Sequence, residues 1–246
     1  MTIAVVQEVA TVGGGGGAAG TWTGTFGSGV TTGNSLFFNV FSYDSGATIS
    51  AGTPKYNGSA YPAASQLIGE SSPGGDNVFS ATWMYPDIGS GGGTAVNLAC
   101  TNGNVDGNVG SVAYEVSGLG ATPTLDRSAG QSHTGSNTDV TSGATSAIQF
   151  APEFVIGTAV IYGVSPGAPS GFTNAYNVGG GFCVSGYQIP ASSGGTYTYD
   201  TGTSAPNDWT ATVATVYAPG GTAHAVTQVP DSDEAREFKR WLLWDL

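Results

Sequence analysis

A chain of 246 residues with 41 glycines, only 9% charged side chains and 11% aromatics has the turn formers and the core material of an all-β fold. Seventeen acids against five bases give a formal net charge of −12, and only Lys55 and Arg127 are basic before residue 236. Such a body is too poor in cations to neutralise phosphates, which argues against nucleic acid, anionic membranes and acidic glycans as partners.

The first strand is expected from Ile3 to Val12, followed by the five glycines Gly13 to Gly17 as a loop or joint. Thr21–Phe26 is a second strand candidate. In Ser35–Tyr43, Leu36, Phe38 and Val40 share one face and Phe37, Phe41 and Tyr43 the other, which marks a strand covered on both sides. Ser45 to Gly75 reads mostly as loop, with short strands at Ala47–Ser50 and Gln66–Gly69. Asn77–Tyr85 alternates, with Phe79, Ala81, Trp83 and Tyr85 together, and Thr94–Cys100 is the next strand. The glycines Gly89 to Gly93 between them suggest a hairpin loop. Ser111–Leu119 sets Val112, Tyr114 and Val116 inward and Glu115 outward. Glu153–Tyr162 is apolar on both faces and is expected to be the most buried strand. Gly181–Ile189 and Trp209–Tyr217 complete the body. No helical pattern separates these strands, so the expected fold is all-β, a single antiparallel sandwich of jelly-roll or immunoglobulin-like type.

The end of the chain differs. Pro230 stops the preceding pattern, Asp231 is an N-cap residue, and Glu234 stands at capping-box spacing. Ala235, Phe238, Trp241 and Leu242 recur at helical spacing, and Leu243 and Trp244 widen that apolar face. A helix this short is marginal in water and needs a surface to pack on, either its own domain or another subunit. Phe238, Trp241, Leu242 and Trp244 are the expected anchors for a partner, with Arg236, Lys239 and Arg240 orienting the dock. The domain plan is then residues 1–20 as N-terminal strand and glycine loop, 21–225 as sandwich, and 226–246 as linker and helix.

Signals for chemistry are weak. Gly163-Val164-Ser165-Pro166-Gly167 has the spacing of a nucleophile elbow, but Pro169 and Gly171 follow where a helix must start, so a turn is expected. His133, placed in a Ser/Thr/Gly loop, and His224 lack metal-ligand spacing; a triad from His133, Asp139 and a serine is possible only on paper, since so many serines are present. Asn102–Asn108 alternates oxygen side chains like a calcium loop, but its twelfth place is Ala113 instead of a glutamate, so a hairpin turn is the expectation. Asn57-Gly58-Ser59 is a lone glycosylation sequon. Cys100 and Cys183 lie far apart in sequence; they can pair, though buried free thiols are the default. Trp22, Tyr56, Tyr61, Trp83, Tyr85, Tyr197 and Tyr199 are candidates for a sugar-stacking platform. The acids Asp44, Asp87, Glu115, Asp126 and Glu153 show no paired signature of a glycoside hydrolase. No cofactor and no metal are expected. The N-terminus lacks a basic n-region and a continuous apolar h-region, so synthesis in the cytosol without a signal peptide is expected.

The segments GNSLFFNVFSYD (Gly33–Asp44), SATWMYPDIGSGGGTAVNLAC (Ser80–Cys100), VAYEVSGLGATPTLDRSAGQS (Val112–Ser132), EFVIGTAVIY and WTATVATVY together resemble a family of glycine- and serine-rich β-sandwich domains. That family is found in bacterial surface proteins and in virion proteins of tailed phages, especially those of actinobacteria. The resemblance spans roughly Thr21 to Ala218, consists of strands and turns, and brings no active-site residues with it. It implies a non-enzymatic virion protein, an exterior capsid-decorating or minor tail subunit docked through its termini. Its partners would be other virion proteins, further copies of itself and a host-surface glycan. The alternative is a carbohydrate-binding adhesion module without catalysis.

Overall fold

The computed structural model describes residues 2–13, 21–45, 55–56, 59–60, 65–72, 76–89, 92–99, 109–135, 138–178 and 182–219. Every strand pairing among them is antiparallel. The first large sheet has the order β1 (Ala4–Gly13), β9 (Val109–Ser117), β3 (Ser35–Ser45), β7 (Asp76–Tyr85), β6 (Ser65–Ser72). The second has the order β10 (Thr124–His133), β16 (Trp209–Tyr217), β12 (Glu153–Ile161), β14 (Cys183–Gln188), β13 (Thr173–Val178). They pack face to face as a β-sandwich, the fold class expected from the sequence.

Two smaller sheets flank the sandwich. A ribbon of β11 (Thr138–Ala144) and β15 (Thr198–Ala205) covers the outer face of the second sheet. A sheet of β2 (Thr21–Thr25), β8 (Ala95–Ala99), β4 (Lys55–Tyr56) and β5 (Ser59–Ala60) lies beside the first, β2 against β1 and β8 against β9.

These outer layers explain why the central strands are apolar on both faces. On β3, Phe37 and Phe41 enter the core between the large sheets, while Leu36, Phe38 and Val40 point the other way and are equally buried. All nine residues of β12 are buried, Phe154, Ile156 and Val160 towards the first sheet and Val155, Ala159 and Ile161 towards the ribbon. Each fully buried large apolar side chain contributes roughly 1.5–3 kcal/mol. Phe154 sits at the centre of an aromatic group, with ring centroids 4.7 Å from Phe37, 5.7 Å from Tyr187 and 6.5 Å from Tyr114.

A polar spine crosses this core. Asn39 Nδ2 donates to the carbonyl of Gly157 at 2.8 Å and to Ser185 Oγ at 2.6 Å, so one side chain of the first sheet is tied to two strands of the second. Thr82 Oγ1 donates to Asn39 Oδ1 at 2.7 Å, and the Tyr114 hydroxyl is 2.8 Å from Ser185 Oγ. Such bonds are directional and fix how the two sheets sit against each other, which apolar contacts alone do not. On the opposite face of β12, Gly157 makes room for the Tyr199 ring; a Cβ there would stand 2.1 Å from Tyr199 Cδ2.

Three expectations are corrected. The stretch around Gly89 to Gly93 does not close a hairpin, because β7 and β8 belong to different sheets. Instead Ile88 and residues 92–94 lie beside residues 26–34, through Ile88 N to Asn34 O, Gly92 N to Val30 O and Phe26 N to Thr94 O. Glu115 does point away from the inter-sheet core, yet it is wholly buried, because the segment 28–34 roofs that face. His133 is the last residue of β10 and lies in no loop. Gly14 to Gly17, Ala47–Ser50 and the terminal segment 231–246 lie outside the described residues.

Candidate functional site

Two carboxyl groups that look unrelated in sequence meet at one corner of the second sheet. β10 and β12 both pair with β16, so Asp126 and Glu153 are brought to its two sides. The β10 register breaks between Leu125 and Arg127, leaving Asp126 as the extra residue of a bulge, a device that re-aims a side chain. Glu153 opens β12 opposite Tyr217, the last residue of β16. Both side chains are sealed, Asp126 at 3% exposure and Glu153 at 0%.

Their partners come from the segment just before β12. Gln149 N–H donates to Asp126 Oδ2 at 2.7 Å, and Phe150 N–H donates to Glu153 Oε1 at 3.2 Å. Arg127 Nη1 lies 3.3 Å from Asp126 Oδ1, and its Nε donates to the Ala147 carbonyl at 3.2 Å. The Phe150 ring stacks on Tyr217, centroids 3.8 Å apart and planes 13° from parallel. Further bonds run from Thr145 N to Tyr197 O, from Ile148 N to Gly195 O and from Gly194 N to Ile148 O. Burial pushes the Glu153 carboxyl up to about 7, with the neighbouring Asp126 adding to the rise and the Thr215 hydroxyl opposing it. A group in that range can hold and release a proton near neutrality, but no glycan reaches so closed a pair.

A second carboxylate is held differently. Glu115 on β9 accepts from Gln7 Nε2 at 2.5 Å, from the Thr31 backbone N–H at 2.8 Å and from Asn34 Nδ2 at 2.5 Å. It therefore anchors β1 and the 28–34 segment to the first sheet.

The remaining candidates are scattered. Tyr85 and Tyr199 are wholly buried, Tyr199 in the layer beneath the ribbon, and neither presents a face to a sugar. Trp83 and Tyr197 are half-buried. The side chains of Trp22 and Tyr56, and Tyr61 altogether, lie outside the described part. His133 stacks on Trp209 with centroids 6.1 Å apart, a packing role, while Asp139 pairs with Ser204 in the ribbon. Ser165 lies on a turn that opens with Gly163 at φ +72° and leads to β13 without a helix, so the elbow geometry is not formed. Cys183 is a free thiol, buried, and burial pushes it well above its ordinary range. Among the described residues no three His, Cys, Asp or Glu side chains are placed to hold a metal ion. The expected docking residues Arg236, Phe238, Lys239, Arg240, Trp241, Leu242 and Trp244 lie outside the described residues, as do Cys100, Asn102–Asn108 and His224.

Sequence reasoning named Asp126 and Glu153 as isolated acids and missed the pair. The signal was the position of Glu153 at the head of a strand apolar on both faces, where a lone charge has no business without a partner. No protein-family profile, curated protein or solved structure matches this chain.

Proposed function

We propose that this chain is a non-enzymatic structural protein of a phage virion, an exterior capsid-decorating or minor tail subunit that docks through its termini. The observation that carries the reading is where the chemistry-bearing side chains of the body go. Glu115 is spent as an internal brace, Asp126 and Glu153 are shut into one corner of the second sheet, and His133 is spent in packing, in a sandwich whose central strands are buried on both faces. The amphipathic pattern with three of the five bases stands apart, after Asp231. An acidic, closely packed body with an aromatic end that carries three of the five bases suits a subunit that contributes mass and attachment. The likeness of its strand and turn segments to phage virion proteins supports the setting.

The test is to change Trp241 and Trp244 together to Asp in the full chain and follow two readouts, solution mass by light scattering and incorporation into particles. Loss of self-association or of incorporation, with an unchanged far-ultraviolet spectrum, is expected. Full incorporation at unchanged mass would sink the docking role.

A further inference from the structure

The corner where Asp126 meets Glu153 is short of hydrogen-bond donors. Asp126 receives the Gln149 N–H and lies against Arg127, while Glu153 receives the Phe150 N–H on Oε1 and the Thr215 hydroxyl. Glu153 Oε2 is shut away from water with no donor facing it. The neighbouring group within hydrogen-bond reach of Glu153 is the Asp126 carboxyl, itself an acceptor when ionised. One proton held between the two acids resolves the shortage, since a protonated carboxyl donates to a carboxylate. The Arg127 guanidinium lies 3.3 Å from Asp126 Oδ1, and burial raises the Glu153 carboxyl.

We propose that Asp126 and Glu153 form a proton-held clasp that ties residues 147–150 to β10 and to the head of β12, beside the end of β16, and loosens that strap when the proton leaves. The strap is built for this. Its two successive amides, Gln149 and Phe150, go one to each acid, and the Phe150 ring lies flat on Tyr217. Tyr217 ends β16, so the strap grips the sandwich where the chain departs towards its C-terminal segment. The groups facing the pair are Arg127 from β10, Thr215 and Tyr217 from β16, and Tyr197 from the turn before β15. Burial first, and the Glu153 charge second, push the Tyr197 phenol up, so it offers no competing charge near neutrality. The inference rests on this corner alone and does not depend on the virion reading.

The sign follows from the direction of the shift. Folded Glu153 keeps its proton to about 7, whereas an unfolded glutamate releases it near 4.5, so the clasp is closed at mildly acid pH and opens as the pH climbs past neutrality.

The experiment is nuclear magnetic resonance on the full chain between pH 4 and 9, following the side-chain carboxyl carbons and the protection factors of the Gln149 and Phe150 amides. One glutamate carboxyl is expected to titrate near neutrality, and both protection factors to drop by roughly tenfold across that titration. Glu153→Gln supplies its own donor and should hold both protection factors level over the whole range. Asp126→Asn is the second variant: its amide donates to Glu153, whose midpoint should fall by about a unit or more. Ordinary carboxyl midpoints for both acids in the native chain, or protection of the two amides that ignores pH, would overturn the clasp. So would a Glu153 midpoint unmoved by Asp126→Asn.

Discussion

Glu115 and Glu153 are each wholly buried, each on the face of a large sheet that points away from the inter-sheet core, and each roofed by an adjacent segment. They solve the same problem in opposite ways. The 28–34 roof, with Gln7, brings three N–H donors to Glu115. The 147–150 roof brings one N–H to Glu153 and one to a second acid beside it. A buried carboxylate rich in donors is a brace, and one that is poor in donors becomes a place to keep a proton.

Removing the brace should therefore cost most. Glu115→Ala takes the shared acceptor from Gln7, Thr31 and the buried Asn34, with an expected loss on the order of 3–5 kcal/mol, read from the urea midpoint at pH 7. A loss below about 1 kcal/mol would mean that the donors find water and that the two glutamates differ less than their geometry says. Asn39→Leu asks whether charge matters at all. It removes a neutral brace between the two sheets and should cost about 2–3 kcal/mol, by stranding the Thr82 hydroxyl and taking a donor from the Gly157 carbonyl and from Ser185, which keeps Tyr114. A cost equal to that of Glu115→Ala would show that unmet hydrogen bonds, and not charge, set the scale.

The strands were largely legible because period-2 alternation and runs apolar on both faces depend only on local sequence. Ser35–Tyr43, Asn77–Tyr85 and Trp209–Tyr217 read from the residues match β3, β7 and β16 to within two residues at each end. The ribbon was not legible. β11, TDVTSGA, and β15, TYDTGTSA, carry few apolar residues, and what makes them strands is the exposed face of the second sheet waiting for Val140, Tyr199 and Ala205. β10 failed for the same reason: TLDRSAGQSH has no apolar face and is held by pairing with β16. The outer layers also explain why Glu115 and Tyr199 were misjudged, since period-2 reasoning tells which face a side chain takes but not whether that face is covered. The acid pair depends on long-range pairing of two strands to one neighbour, which no local pattern reports.

Glu153 should give the reverse of the Glu115 result. The folded chain loses stability as pH rises from about 4.5 to about 7, by on the order of 2 kcal/mol, because the unfolded state gives up its proton first. Glu153→Gln removes that cost and should unfold at higher urea than the native chain at pH 8, by about 1–2 kcal/mol, with little difference at pH 5. Thermal or urea midpoints at the two pH values decide the matter; a destabilisation at pH 8 as large as that of Glu115→Ala would make Glu153 a brace like the other.

The smallest effect belongs to Glu70, and it is the control on the comparison. Glu70 is half-buried on β6 with its side chain laid over Gly130 of β10, where a Cβ would meet Glu70 Cγ at 2.7 Å. Burial pushes its carboxyl up and a hydrogen bond with Ser132 pulls it back. The sign matches that of Glu153, since stability falls as pH rises through the raised value, but water screens the site. Glu70→Gln keeps a partner for Ser132 and should change stability by under about 0.5 kcal/mol at any pH. The pH dependence of the native chain should survive in Glu70→Gln and vanish in Glu153→Gln. If the two variants flatten it equally, acid sensitivity is spread over the half-buried carboxylates of an acidic protein, and the corner at Asp126 and Glu153 has no special part in it.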